Sequence, residues 1–148
     1  MIKSRVPLAL EDQTYVSLLK TADILVQEVE QLLKRYGLTG AQYNVLRILR
    51  GAEPEGLACS AISEQLISHD PDMTRLLDRM EKRGLISRHR EVRDRRVVKT
   101  RVTPKGLELL KGLDLPISDL HRRQFRRVSQ RRLRELGGVL EELRESRK

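Results

Sequence analysis

At 148 residues and 17.2 kDa the chain has the length of a single domain, able to enclose one core and short for two independent ones. Only 3% of its residues are aromatic and none is Trp, so the core has to come from Leu, Val and Ile, which suits helices packed along aliphatic seams and excludes collagen-like and disulfide-scaffold chains. No stretch approaches the ~18 consecutive apolar residues of a membrane span, and no apolar signal core follows the basic N-terminus. The chain therefore reads as cytoplasmic, where a lone cysteine, Cys59, is ordinary.

The formal charge is +9, carried by 22 Arg and 8 Lys against 21 acids. It is unevenly spread. Residues 75–101 hold 11 basic and 4 acidic side chains, and residues 122–134 hold 7 Arg and no acid, which leaves a net −5 on the rest. Two basic islands on an otherwise acidic chain are either solvated faces or the footprint of a polyanion, nucleic acid first among them.

In chain order, Tyr15, Leu18, Ala22, Leu25, Val29, Leu32 and Tyr36 fall at alternating spacings of 3 and 4. This heptad seam is widened by Leu19, Val26 and Leu33, and it predicts a long amphipathic helix over 11–36. Such a helix is about 39 Å long, more than a small lobe covers, so a partner helix is expected. Gly37 stops it. Thr39 and Gln42 form a capping box, with Leu38 and Tyr43 as hydrophobic staple, and predict a second helix with Val45, Leu46, Ile48 and Leu49 inward. A short helix over about 59–66 follows, then a turn over 67–70, then a helix from Pro71 to Arg83. Asp70 is its expected cap, with Pro71 at the first helical position. Met73, Leu76, Leu77 and Met80 face inward on that helix, leaving Thr74, Arg75, Asp78, Arg79 and Lys82 outward.

Residues 85–90 and 97–102 read as two strands of a hairpin with a charged tip containing Arg93, Asp94, Arg95 and Arg96. Thr103 and Pro104 restart helix, with a kink expected at Pro116. A last helix, capped by Ser129, carries Leu133, Leu136, Leu140 and Leu143 on one seam. Helix, turn, helix and basic hairpin make a winged helix-turn-helix, so the expected class is mainly α (α+β). Its second helix enters the DNA major groove, where Thr74 and Arg75 lie nearest the base edges and Arg79 and Lys82 suit phosphates.

The segments L-T-G-A-Q-Y-N-V-L-R-I-L (38–49), M-T-R-L-L-D-R-M-E-K-R-G-L-I-S-R (73–88) and D-R-R-V-V-K-T-R-V-T-P-K-G (94–106) resemble the MarR family of bacterial transcriptional regulators, over nearly the whole chain. The resemblance implies a homodimer with interlocked terminal helices (11–36 and 104–147), a winged helix-turn-helix lobe (39–103) and pseudo-palindromic promoter DNA as partner. It also implies release by a small aromatic or anionic effector or by oxidation. The family's D-x-R wing pattern falls on Asp94 and Arg96, so Asp94 braces the wing while Arg96 or Arg95 enters the minor groove. The chain departs from the family's habit in the acids Asp70 and Asp72 near the turn, and in the arginines opening the last helix. Those arginines are expected to pair with Glu135, Glu141, Glu142 and Glu145 across a dimer, in preference to forming a second anion site.

The resulting expectation is a sequence-specific regulator, read as a repressor, that associates with the bacterial nucleoid when bound to DNA; an RNA-binding or non-specific architectural winged-helix protein is the alternative. Three scattered His and no nucleophile constellation or Gly-rich phosphate loop speak against an enzyme, a metal site or a cofactor. Cys59 is expected to be a buried structural thiol. An effector cleft is expected between the dimerisation and DNA lobes, lined by Tyr15, Tyr43, Arg47 and His121, with Arg47 able to hold a carboxylate.

Overall fold

A computed structural model describes residues 6–147 of the chain. The elements run α1 (Leu10–Lys34), α2 (Gly40–Gly51), β1 (Leu57–Ala58), α3 (Cys59–Gln65), α4 (Met73–Lys82), β2 (Ile86–Arg90), β3 (Val98–Val102), α5 (Pro104–Gln124) and α6 (Gln130–Glu145). Helix ends follow local chemistry closely. Thr39 accepts from the Gln42 N–H at 3.2 Å while Gln42 returns its amide oxygen to the Thr39 N–H at 3.1 Å, the capping box read from the sequence. Thr103 and Ser129 cap α5 and α6 by one bond each, their hydroxyls accepting from the Gly106 N–H at 3.1 Å and the Arg132 N–H at 3.3 Å.

The two helices that precede tight turns, α1 and α4, end alike. Gly37 and Gly84 sit at φ +70° and +73°, and the residues after them, Leu38 and Leu85, donate back to the Leu33 and Met80 carbonyls. This left-handed stop is open to glycine at no steric cost. It throws Leu38 and Leu85 inward, where both are buried.

The core is aliphatic, as the composition requires. Leu33 from α1, Val45, Leu46 and Leu49 from α2, Ile62 from α3, Leu77 and Met80 from α4, and Leu110 and Leu113 from α5 form one cluster with Leu85 and with Ile86 and Val102 of the sheet. The sheet is antiparallel in the order β1-β3-β2, with Ile86 opposite Val102 and Arg90 opposite Val98. The third strand, β1, is not anticipated by the sequence. Two residues carry no alternation pattern, and Leu57 and Ala58 are strand only because β3 lies alongside.

Several expectations need correction. Helix α4 starts at Met73, not Pro71, and its cap is Asp72, not Asp70. The Asp70 carboxylate instead accepts from the Asp72 N–H at 2.8 Å, a local turn that keeps Pro71 outside the helix. Cys59 is exposed, because Ile62 takes the inward place on short α3. Apart from these corrections, α5 holds Pro116 inside its span and runs on to Gln124, with Leu113 in the core and Asp114 at the surface.

Only the C-terminal end of α1 is enclosed by its own chain; Tyr15, Val16, Leu18, Leu19, Ile24 and Val26 are exposed. Helix α6 buries no residue, and Leu136, Val139 and Leu143 face solvent. Among the described residues no helix is long and apolar enough to cross a membrane.

Candidate nucleic-acid interface

The segment from α3 to α4 is held from behind. Asn44 of α2 accepts from the Ile67 N–H at 2.8 Å and so fixes the start of the turn. Asp72 accepts from the Arg75 N–H at 3.1 Å and fixes its end. Helix α4 buries Leu77 and Met80 and half-buries Met73 and Leu76, the inward set read from the sequence. Thr74, Arg75, Arg79 and Lys82 are left exposed on the opposite side. None of the three cations is engaged by a carboxylate of the described residues. Asp78 does not share this free face, contrary to expectation: it is half-buried and turned toward β2.

The wing is β2, β3 and their connection. The Glu91 N–H donates to the Val97 carbonyl at 2.9 Å and the Val97 N–H to the Asp94 carbonyl at 3.0 Å, closing the tip. Asp94 accepts from both the backbone N–H and Nε of Arg96 at 3.1 Å. Those hydrogen bonds hold its carboxyl below the usual aspartate range. The Arg96 side chain is nonetheless 91% exposed, and exposed pairs of this kind contribute little stability, so its charge stays accessible to a polyanion. Arg90 donates to the Arg95 carbonyl at 2.9 Å, and Arg93 and Arg95 are exposed at the tip.

Two arginines that sequence reasoning passed over join these parts. Arg83, the C-cap of α4, donates to the Gly37 carbonyl at 2.7 Å and ties the end of α4 to the α1–α2 junction. Arg88 of β2 pairs with Asp78 and, at 2.9 Å, with Glu81 of α4. No short-range pattern marks either contact, since the partners come from separate elements.

A cleft of about 610 Å³ opens between α2, the C-terminal half of α5 and the start of α6, lined by Tyr43, Arg47, Arg50, Asp114, His121 and Phe125 among others. It brings together Tyr43, Arg47 and His121 as anticipated. Tyr15 does not line it: that ring sits on the exposed stretch of α1, 64% accessible. The Arg47 guanidinium lies 5.8 Å from the centre of the Tyr43 ring, within cation–π range. Burial pushes the Tyr43 hydroxyl above its ordinary pKa, so it stays a neutral donor. Arg50, Arg122 and Arg126 add to the cationic wall, with Arg50 bound to Asp114 and Arg122 to Asp119.

At the second basic island, Arg131 pairs with Glu135 within α6 itself.

The model of the MarR family matches residues 38–98, the span from the capping box of α2 into β3. The organic hydroperoxide resistance transcriptional regulator of Bacillus subtilis is 33% identical over 108 residues, covering 72% of each chain. The homoprotocatechuate degradative operon repressor of Escherichia coli is 25% identical over 133 residues, 90% of this chain and 88% of the repressor. Among solved structures, the MarR transcription factor from Planctomyces limnophilus superposes with a TM-score of 0.70 at 37% identity, covering 93% of this chain and 98% of that one. With the fold, the helix-turn-helix and the wing all accounted for, the chain belongs to the MarR family of transcriptional regulators.

Proposed function

We propose that the protein is a homodimeric transcriptional repressor that binds pseudo-palindromic promoter DNA in the bacterial cytoplasm and is released by a small aromatic or anionic effector. The observation that carries the DNA reading is the exposed set Arg75, Arg79 and Lys82 on the solvent side of α4, engaged by no carboxylate of the described residues, together with a wing tip bearing Arg93, Arg95 and Arg96. Thr74 and Arg75 read base edges, with arginine bidentate to guanine. Arg79 and Lys82 hold phosphates. Asp94 braces the tip, and Arg96 or Arg95 enters the minor groove.

Residues 39–103 serve as the DNA lobe and residues 11–36 and 104–147 as the dimer lobe. The unburied apolar faces of α1 and α6 support this division, because a monomer leaves both seams wet. Repression is supported by the Escherichia coli relative, an operon repressor. The Tyr43, Arg47 and His121 cleft supports an effector, offering apolar walls and a cation.

Fluorescence anisotropy with duplex DNA flanking the protein's own coding sequence, the RNA duplex of equal sequence and a scrambled DNA tests the reading. Preference for the flanking DNA over both is expected. Equal affinity for scrambled DNA favours an architectural protein, and preference for RNA overturns the DNA reading.

A further inference from the structure

Arg88 stands midway along β2 inside the basic island of residues 75–101, yet its charge is not offered to a ligand. Its guanidinium donates to Asp78 and, at 2.9 Å, to one Glu81 oxygen, and its backbone N–H donates to the other Glu81 oxygen at 3.2 Å. Asp78 and Glu81 are three residues apart on α4 and so present side by side to the strand. The hydrogen bonds from Arg88 hold the Glu81 carboxyl below its usual range, and the two carboxylates hold the guanidinium above its own. Glu81 and Arg88 are therefore both charged at neutral pH.

Its placement is costly for a polyanion binder. Two carboxylates on a DNA-facing helix repel phosphates, and a half-exposed ion pair returns little stability. Farther along the same strand, Arg90 donates to the Arg95 carbonyl at 2.9 Å. An unbroken line of contacts thus runs from α4 through Arg88 and β2 to the wing tip.

We propose that Arg88 is a positioning residue for DNA binding: through Asp78 and Glu81 it fastens the wing to the reading helix, so that the base-reading side chains of α4 and the arginines of the tip meet the duplex as one body. The inference rests on the wing reading given above. Fastening lowers the ordering cost of engaging two grooves at once, since a wing already held at its angle loses less freedom on binding.

The test uses the full chain, a duplex selected by the unmodified protein from a random library, and a scrambled duplex of equal length, with affinities read by fluorescence anisotropy. Charge alone and fastening predict opposite signs for the double variant Asp78→Asn/Glu81→Gln. Removing two negative charges beside DNA tightens all binding if only charge matters. Fastening predicts tighter binding to the scrambled duplex but weaker binding to the selected one, by roughly threefold to tenfold. Glu81→Gln alone, at an exposed position, shifts the ratio of the two affinities in the same direction. In an Arg95→Ala/Arg96→Ala background the double variant no longer weakens the selected duplex.

Uniform tightening overturns the proposal. Unchanged binding by Arg95→Ala/Arg96→Ala alone overturns the wing reading and the proposal with it. A wing penalty that is present and merely adds to that of the double variant overturns only the fastening.

Discussion

Arg50 of α2 donates to the Asp114 carboxylate of α5 at 2.9 Å, joining the two walls of the cleft. This hydrogen bond raises the Arg50 pKa still further and occupies a guanidinium that would otherwise meet an entering anion. Asp114→Asn removes the negative charge that competes with such an anion. With benzoate as probe, the thermal shift is expected to be larger for Asp114→Asn than for the unmodified protein, reflecting roughly threefold tighter binding after solvent screening. Arg47→Ala is expected to reduce the shift. Equal shifts in all three proteins would put the anion elsewhere.

Leu136, 44% exposed on α6, belongs to a seam that the single chain leaves uncovered. Leu136→Arg is expected to convert a dimer into monomer or aggregate, read by light scattering behind a sizing column. The unmodified protein persisting as a stable folded monomer at micromolar concentration contradicts the dimer.

Gly106 lies where α5 starts against the sheet. A Cβ there would stand 2.4 Å from the Leu85 carbonyl oxygen and 2.7 Å from a Val102 methyl. Gly106→Ala gains helix propensity but must push backbone apart, and the contact outweighs the gain. A net loss of about 1–3 kcal/mol in urea unfolding is expected; a variant as stable as the parent would show that the junction of α5 with the sheet has room for a methyl group.

Glu81 gives a pH signature. Its carboxyl titrates below the ordinary range in the folded protein because Arg88 donates to it, whereas in the unfolded chain it returns to about 4.3. The stabilisation is therefore complete above that value and is lost as pH falls through the depressed folded value. Glu81→Gln should be less stable than the parent at neutral pH, and the gap should close in strong acid. A gap that persists undiminished at the acid end assigns the loss to something other than the ion pair.

The parts of this fold legible in the sequence are those decided within a few residues. The caps at Thr39, Thr103 and Ser129 and the stop at Gly37 depend on neighbours in the chain, and each is where the sequence puts it. The inward set on α4 follows from helical period alone. Competition between two nearby capping residues is harder to read: Asp70 and Asp72 are both good caps, and the difference lies in a turn that lets the first bond the second. Strand β1, the Arg88 cluster and the absence of Tyr15 from the cleft depend on elements far apart in the chain. No local pattern records which helix face a distant strand will approach.

The central claim, that a dimer reads two half-sites with α4, is tested most directly by selecting duplexes from a random library with the unmodified protein and with Arg75→Ala. An inverted repeat is expected for the former, with half-site centres about 34–36 Å apart, one turn of DNA. Arg75→Ala should bind that site about 1–3 kcal/mol more weakly and lose preference at one base pair in each half. An unmodified protein that enriches no symmetric site, or an Arg75→Ala variant that enriches the same site with the same affinity, contradicts the claim.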